Sequence, residues 1–225
     1  MENIAKFIDH TNLSADATPD SIRRTCWEAQ KYGFRSVCIN PRWVKFAKKE
    51  LEGTTVKVAA AIDWPIGAST TEGRVSMAKI AKNDGADEMD VVLDIGNFRA
   101  GNYSDVLEDL KALVKILPTK VIIETGYLTD DEIKIASSLV KEAGGMCVKT
   151  STGVEPKVDI ETKIMHVRLI RDAVGPDFLI KAAGGIKTAQ DAQMLLQAGA
   201  NIIGASSGVE IMKGMGANQN QTAEK

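Results

Sequence analysis

Short apolar or β-branched runs recur along the chain, with amphipathic stretches between them. The runs are "FID" (7–9), "SVCIN" (36–40), "VKVAAAID" (56–63), "EMDVVLD" (88–94), "KVIIET" (120–125), "MCVKT" (146–150), "FLIKA" (178–182) and "NIIGAS" (201–206). Each has the length of a strand rather than a helix. The intervening stretches carry helical spacing and helical punctuation. "TPDSIRRTCWEAQKYG" opens on a Thr cap with Pro19 at the first helical position and closes on Gly33. "LTDDEIKIASSLVKEAGG" has acids in its first turn, Lys141 in its last and a glycine stop. "KTAQDAQMLLQAGA" places Thr188 three residues before Asp191, a loose capping box, and closes on Gly199.

The polar or glycine residue near the end of each run sets a rhythm. Asp9, Asn40, Asp63, Asp90, Glu124, Lys149, Lys181 and Gly204 are separated by 31, 23, 27, 34, 25, 32 and 23 residues. Each interval is close to the roughly 30 residues of one βαβ unit. Eight strands alternating with helices predict a parallel sheet closed into a (β/α)8 TIM barrel, in one domain spanning residues 1–213. The rival is an open doubly wound sheet, although no Gly-x-Gly-x-x-Gly follows an early strand. No long linker interrupts the rhythm. The small polar tail, 214–225, is expected to be flexible. The first strand is the least regular, because "NIAKFID" is also compatible with helix.

In a barrel, active sites form at the C-terminal ends of the strands. Seven of the eight residues that set the rhythm are charged or polar, which predicts that chemistry gathers at one face. Lys149 and Lys181 stand one βαβ unit apart and hence on adjacent strands. Two ammonium groups facing one cavity repel, and burial disfavours their charge; both effects lower a lysine pKa. A neutral lysine attacks carbonyl carbon and forms a Schiff base. Asp90 could offset charge or move protons next to the imine, and Thr150, Ser151 and Thr152 could bond a polyhydroxy substrate. The plainer reading is that a lysine at a strand end reaches out to solvent. Glycines supply a second constellation: "AAGG" (182–185) after the seventh run and "IGASSG" (203–208) after the eighth. Loops after strands 7 and 8 of such barrels often hold a phosphate on backbone N–H groups. The plainer reading here is tight turns.

Composition narrows the class. Across 225 residues, 44% are apolar, enough for a sizeable core, and the net charge of −2 provides no bulk basic field for nucleic acid or an anionic membrane. Cys26, Cys38 and Cys147 lie far apart, which suits reduced thiols in a cytoplasmic protein. His10 and His166 share no metal-type spacing, so neither a metal nor a cofactor is expected. The N-terminal "MENIAKFIDH" shows no signal-peptide pattern. Cys38 and Cys147, inside apolar runs, read as small core residues. Trp27 and Trp43 are expected to pack helices against the barrel, His166 to be structural or exposed, and Asp63 and Glu124 to line the pocket or be satisfied locally.

Taken in order, "DHTNL", "VCINP", "GADEMDVVLDIG", "KVIIET", "VKTSTG", "KAAGGIKT" and "GASSG" resemble the motifs of the 2-deoxyribose-5-phosphate aldolase family, from residue 9 to residue 208. The resemblance implies a class I aldolase on a (β/α)8 barrel that reversibly cleaves 2-deoxy-D-ribose 5-phosphate to D-glyceraldehyde 3-phosphate and acetaldehyde without metal, as a homo-oligomer; the alternatives are a related Schiff-base aldolase for another phosphorylated aldehyde, which Asp63 and Trp64 motivate, and a sugar-phosphate-binding homologue without turnover. It matches Lys149 to the Schiff-base lysine, Lys181 to the second lysine and Asp90 to the proton-moving aspartate. It puts Asp9, Thr11, Cys38 and Thr152 near the substrate. Gly153, Gly184, Gly185, Gly204, Ser206 and Ser207 match phosphate-binding positions. The chain departs from the family pattern at "IDWPIG", where Gly-Phe-Pro or Asn-Phe-Pro is usual, and at Lys187, where Arg is frequent.

Overall fold

Strands and helices alternate along the chain, and the computed structural model describes residues 4–154 and 156–222, with backbone alone for 216–222. The strands are β1 (Ile8–Asn12), β2 (Ser36–Ile39), β3 (Lys57–Ile62), β4 (Glu88–Val92), β5 (Thr119–Ile122), β6 (Cys147–Lys149), β7 (Leu179–Ala183) and β8 (Ile202–Ala205). The helices are α1 (Pro19–Tyr32), α2 (Val44–Glu50), α3 (Thr71–Asn83), α4 (Ile95–Arg99), α5 (Tyr103–Val114), α6 (Asp130–Glu142), α7 (Ile160–Val174), α8 (Ala189–Gln197) and α9 (Gly208–Thr222). All strand neighbours pair in parallel and in chain order, and β1 closes the barrel on β8 through Asp9↔Gly204 and His10↔Ala205. This is the (β/α)8 barrel that the rhythm predicts, not the open sheet.

Local chemistry sets the helix starts. Thr18 accepts from the Ser21 N–H and receives the Ser21 side chain on its own N–H, a complete capping box, and Gly33 ends α1 in the left-handed region at φ 71°. Thr129 with Glu132, and Thr188 with Asp191, build the same box at α6 and α8. Each cap satisfies N–H groups that the first turn leaves open, typically worth about 1 kcal/mol.

The period of two along each strand divides the barrel into two environments. One face (Ile8, Val37, Ile39, Val58, Ala60, Met89, Val91, Val121, Val148, Ile180, Ala182, Ile203) joins the main apolar cluster with the helices. The other lines the interior. There Cys38, Ala59 and Ala61 form a small apolar cluster with Leu13. The rest of the interior is largely charged: Asp9, Glu88, Asp90, Lys120, Lys149 and Lys181 are all buried. Barrel interiors are usually filled by branched aliphatics, so this interior has been given to another task.

Three expectations are corrected or refined. Trp27 does not pack against the barrel; it is 55% exposed, with Lys31 Nζ 4.6 Å from its ring centroid. Trp43 does pack against the core. "NIAKFID" divides between a 3-10 turn, Ile4–Phe7, and β1, which runs on to Asn12. The boundary expected at residue 213 falls within α9, while residues 223–225 of the expected tail lie outside the described ones.

Candidate active site

Lys149 is the last residue of β6 and pairs in register with Lys181 of β7. Both Nζ atoms donate to one oxygen, Asp90 Oδ2, each at 2.8 Å. Lys181 also donates to Asp9 Oδ2 at 2.6 Å. Beneath them lies a residue to which sequence reasoning gave no role, Lys120, with Nζ 2.9 Å from Asp90, 3.2 Å from Asp9 and 2.5 Å from Glu88. Arg35 closes the network from below, bidentate on Glu88 at 2.6 and 2.8 Å and 2.8 Å from Asp9. Four cations (Arg35, Lys120, Lys149, Lys181) thus meet three buried carboxylates (Asp9, Glu88, Asp90). Exposed Lys57 stands 3.9 Å from Glu88 at the edge.

Burial alone would push these carboxylates up, but the cations outweigh it. Lys120, Lys149 and Lys181 hold Asp90 well below the usual carboxylate range. Lys120, Lys181 and Arg35 do the same for Asp9, and Arg35 and Lys120 lower Glu88. Repulsion and burial predict a lowered lysine pKa in this pair, but Lys181 shows the opposite. Burial lowers it, yet Asp9 and Asp90 outweigh both burial and the neighbouring lysine, so its pKa is raised. Lys120 is raised as well, by Asp9, Asp90 and Glu88. The mutual-repulsion argument omitted the carboxylates between the amines. Burial, then the Asp90 charge, pushes the Cys38 thiol up to about 11, and its Sγ lies 3.6 Å from Asp90 Oδ2. A thiol in that state is a poor nucleophile.

Above the amines opens a cavity of about 140 Å³. Its lining brings together Thr11, Lys149, Thr152, Gly153, Gly184, Gly185, Gly204, Ser206 and Ser207, along with Lys187. Of the remaining sequence-selected positions, Lys181 and Asp90 bond each other below it, Asp9 holds Lys181, and Cys38 abuts Asp90. Glycine is required where the loops after β6 and β7 meet. A Cβ on Gly153 would lie 3.4 Å from the Gly184 Cα, and the two residues have φ of 90° and 87°. Ser206 and Ser207 lead directly into the first turn of α9, whose free N–H groups favour an anion.

The ends of β3 and β5 are satisfied differently. Asp63 (φ 53°) turns its carboxylate to the Ser69 N–H and hydroxyl at 3.0 and 2.7 Å, with Arg74 Nε 3.6 Å away. It is occupied locally. Glu124 (φ 50°) accepts the Thr152 N–H at 2.8 Å beside the cavity, and burial raises its pKa. His166 is buried in α7. Among the described residues no cluster of His, Cys, Asp and Glu is arranged to hold a metal, and no helix is long and apolar enough to cross a membrane. A larger groove of about 570 Å³, near the opposite ends of β1 and β8, is lined by Ile4, Phe7, Leu196, Met215 and other residues without ionisable groups. It cannot carry such chemistry.

Lys120, Glu88 and Arg35 were missed because they lie toward the starts of runs, away from the ends where function is sought. The signal was present in "EMDVV": Glu88 and Asp90 are two apart and share a face.

A charged, lysine-rich barrel floor beneath a glycine-rich mouth is matched over residues 3–214 by the family model described as DeoC/LacD family aldolase. The chain belongs to this aldolase family. Its relatives include the deoxyribose-phosphate aldolase of Thermococcus gammatolerans, 48% identical over 94% of this chain and 96% of the relative. The deoxyribose-phosphate aldolase of Streptococcus gordonii is 44% identical over 96% and 98%. Among solved structures, the tetrameric deoxyribose phosphate aldolase of Aeropyrum pernix superposes with a TM-score of 0.87 at 30% identity, covering 96% of this chain and 92% of that one.

Proposed function

We propose that the chain is a class I aldolase that reversibly cleaves 2-deoxy-D-ribose 5-phosphate to D-glyceraldehyde 3-phosphate and acetaldehyde. The observation that carries the reading is the convergence of Lys149 and Lys181 on one oxygen of Asp90, directly under the glycine–serine cavity. In this network Lys120, Lys149 and Lys181, all buried, and the half-buried Arg35 face Asp9, Glu88 and Asp90. Among the described residues Lys149 meets Asp90 alone and faces the cavity, whereas Lys181 and Lys120 each meet more than one carboxylate. Lys149 is therefore the amine assigned to react.

The neutral Lys149 amine adds to the aldehyde carbon, C1, of the open-chain sugar. Loss of water gives an iminium, which acts as an electron sink. A base removes the C3 hydroxyl proton, the C2–C3 bond breaks, and its electron pair becomes the C1–C2 double bond of an enamine. Glyceraldehyde 3-phosphate leaves. Protonation at C2 and hydrolysis by water release acetaldehyde and regenerate the amine. Asp90 and the charged Lys181, with water, are assigned the proton transfers. Thr11 and Thr152 line the hydroxyl-bearing part, with Asp9 fixing Lys181 and Cys38 beside Asp90 at the floor. Gly153, Gly184, Gly185, Gly204, Ser206 and Ser207, with Lys187, cradle the phosphate. Asp63, turned toward Ser69, gives no support to a different aldehyde substrate.

The tetrameric relative supports a homo-oligomer, dimer or tetramer, and buried free thiols accord with a cytoplasmic setting. The test is borohydride reduction in the presence of 2-deoxyribose 5-phosphate, with peptide mass mapping and a coupled assay for glyceraldehyde 3-phosphate. A two-carbon adduct on Lys149 is expected; an adduct on Lys181 or Lys120, or no product, overturns the assignment.

A further inference from the structure

The loop after β6 carries both ends of the proposed chemistry, because Lys149 and Gly153 lie four residues apart. Thr152, between them, is gripped from two sides. Its N–H donates to Glu124 Oε2 at 2.8 Å, and its carbonyl accepts the Trp64 indole N–H at 3.3 Å. Thr152 Oγ1 in turn accepts the Val154 N–H at 3.2 Å. Trp64 belongs to the loop after β3, across the mouth from β6, and its ring packs on the interior cluster of Leu13, Cys38, Ala59 and Ala61. That loop is itself anchored. Its Asp63 carbonyl accepts the Gly67 N–H at 2.9 Å, and Arg74, buried beneath, bonds the Val92 carbonyl and Asp109.

Phenylalanine, usual at this position in the family that the sequence resembles, has no N–H to give. We infer that Trp64 is a positioning residue for the phosphate end of the substrate: its indole N–H and the Glu124 carboxylate hold Thr152 from opposite sides and fix the approach of Gly153 to Gly184. This rests on the phosphosugar reading above. Both glycines sit at positive φ, 90° and 87°, and a Cβ on Gly184 would come 3.3 Å from the Gly153 Cα, so a shift of either backbone alters the cradle. Trp64 is not itself among the residues lining the cavity. Its influence passes through the loop.

Trp64→Phe keeps an aromatic ring and removes the donor. One neutral hydrogen bond corresponds to roughly a three- to tenfold change in an equilibrium, so KM for 2-deoxyribose 5-phosphate is expected to rise by that factor. The kcat for that substrate, and kcat/KM for unphosphorylated 2-deoxyribose, should stay within about twofold. Glu124→Ala should reproduce the selective KM effect, and Glu124→Gln, which keeps an acceptor oxygen, should largely restore it. Equal losses on both sugars in Trp64→Phe would show that the ring shapes the reacting end and would overturn the inference, as would no change on either. Thermal melts of each variant separate this from loss of fold. Titration of inorganic phosphate reads the cradle without turnover. If the wild type cleaves neither sugar, the functional reading fails, while weaker phosphate binding in Trp64→Phe still supports the clamp and equal binding overturns it.

Discussion

The three lysine amines inside the barrel differ in how many carboxylates each meets: three for Lys120, two for Lys181, and Asp90 alone for Lys149 among the described residues. That inequality assigns roles where residue type cannot. A lysine locked between carboxylates is held as a fixed positive charge; Lys149 instead shares its one described partner with Lys181 and lines the cavity. Asp90 is the shared partner, so Asp90→Asn should be the most damaging conservative change. A drop in kcat of about 10²–10⁴-fold is expected, the range for loss of general acid–base assistance, measured by the coupled aldolase assay. Cys38 is the contrasting case. It touches the same carboxylate but is fully buried, with its thiol pushed up to about 11. Cys38→Ala should retain the borohydride adduct on Lys149, and iodoacetamide should leave Cys38 of the native protein unmodified at neutral pH. Rapid alkylation, or loss of the adduct in the variant, would contradict a passive thiol.

At the level of strands and loops, the barrel was legible in the sequence because each βαβ unit repeats its own punctuation. The caps at Thr18 and Thr188, Pro19 and the stop at Gly33 stand where the pattern places them. What the pattern could not deliver was which groups meet across the interior. Lys120 stands opposite Asp90 only through the β4–β5 register, and the Arg35–Glu88 pair links residues 53 apart in the chain. Trp27 misled because a helix pattern marks a periodic face, while whether one aromatic on it is covered depends on neighbours in space. Gly204 was also read too narrowly. It lines the cavity, and it also makes room for the Lys181 side chain: an added Cβ would sit 2.8 Å from Lys181 Cε and 3.1 Å from the Ala183 Cβ. Lys181 cannot swing aside, because Asp9 and Asp90 hold its amine. Gly204→Ala is therefore expected to cost about 1–3 kcal/mol of stability, the usual range for overpacking, and to lower kcat as well as raise KM. A KM effect alone would mean that this glycine serves only the phosphate.

Across the whole molecule, the charged interior ties stability to the same groups as chemistry. Burying charge is costly, and a buried network holds only while each member keeps its partners. Lys120 is the member that three carboxylates share, and it is fully buried. Lys120→Met removes the charge while keeping an unbranched apolar side chain, and leaves Asp9, Glu88 and Asp90 under-compensated. A loss of about 3–5 kcal/mol near neutral pH is expected, read from urea unfolding. The pH dependence carries the sign that distinguishes this cause from a packing defect. In the wild type the three carboxylates have folded pKa values below their ordinary ones. Their contribution is thus complete above the unfolded values, near pH 4, and is lost as pH falls through the folded ones. In the variant, burial is less opposed, so these groups take up protons at higher pH, and protonation relieves their repulsion. The stability gap between wild type and Lys120→Met should therefore be widest near neutrality and narrow steadily as the solution is acidified toward the ordinary carboxylate range. A gap that stays constant across that interval would mean that Lys120 fills space rather than balancing charge.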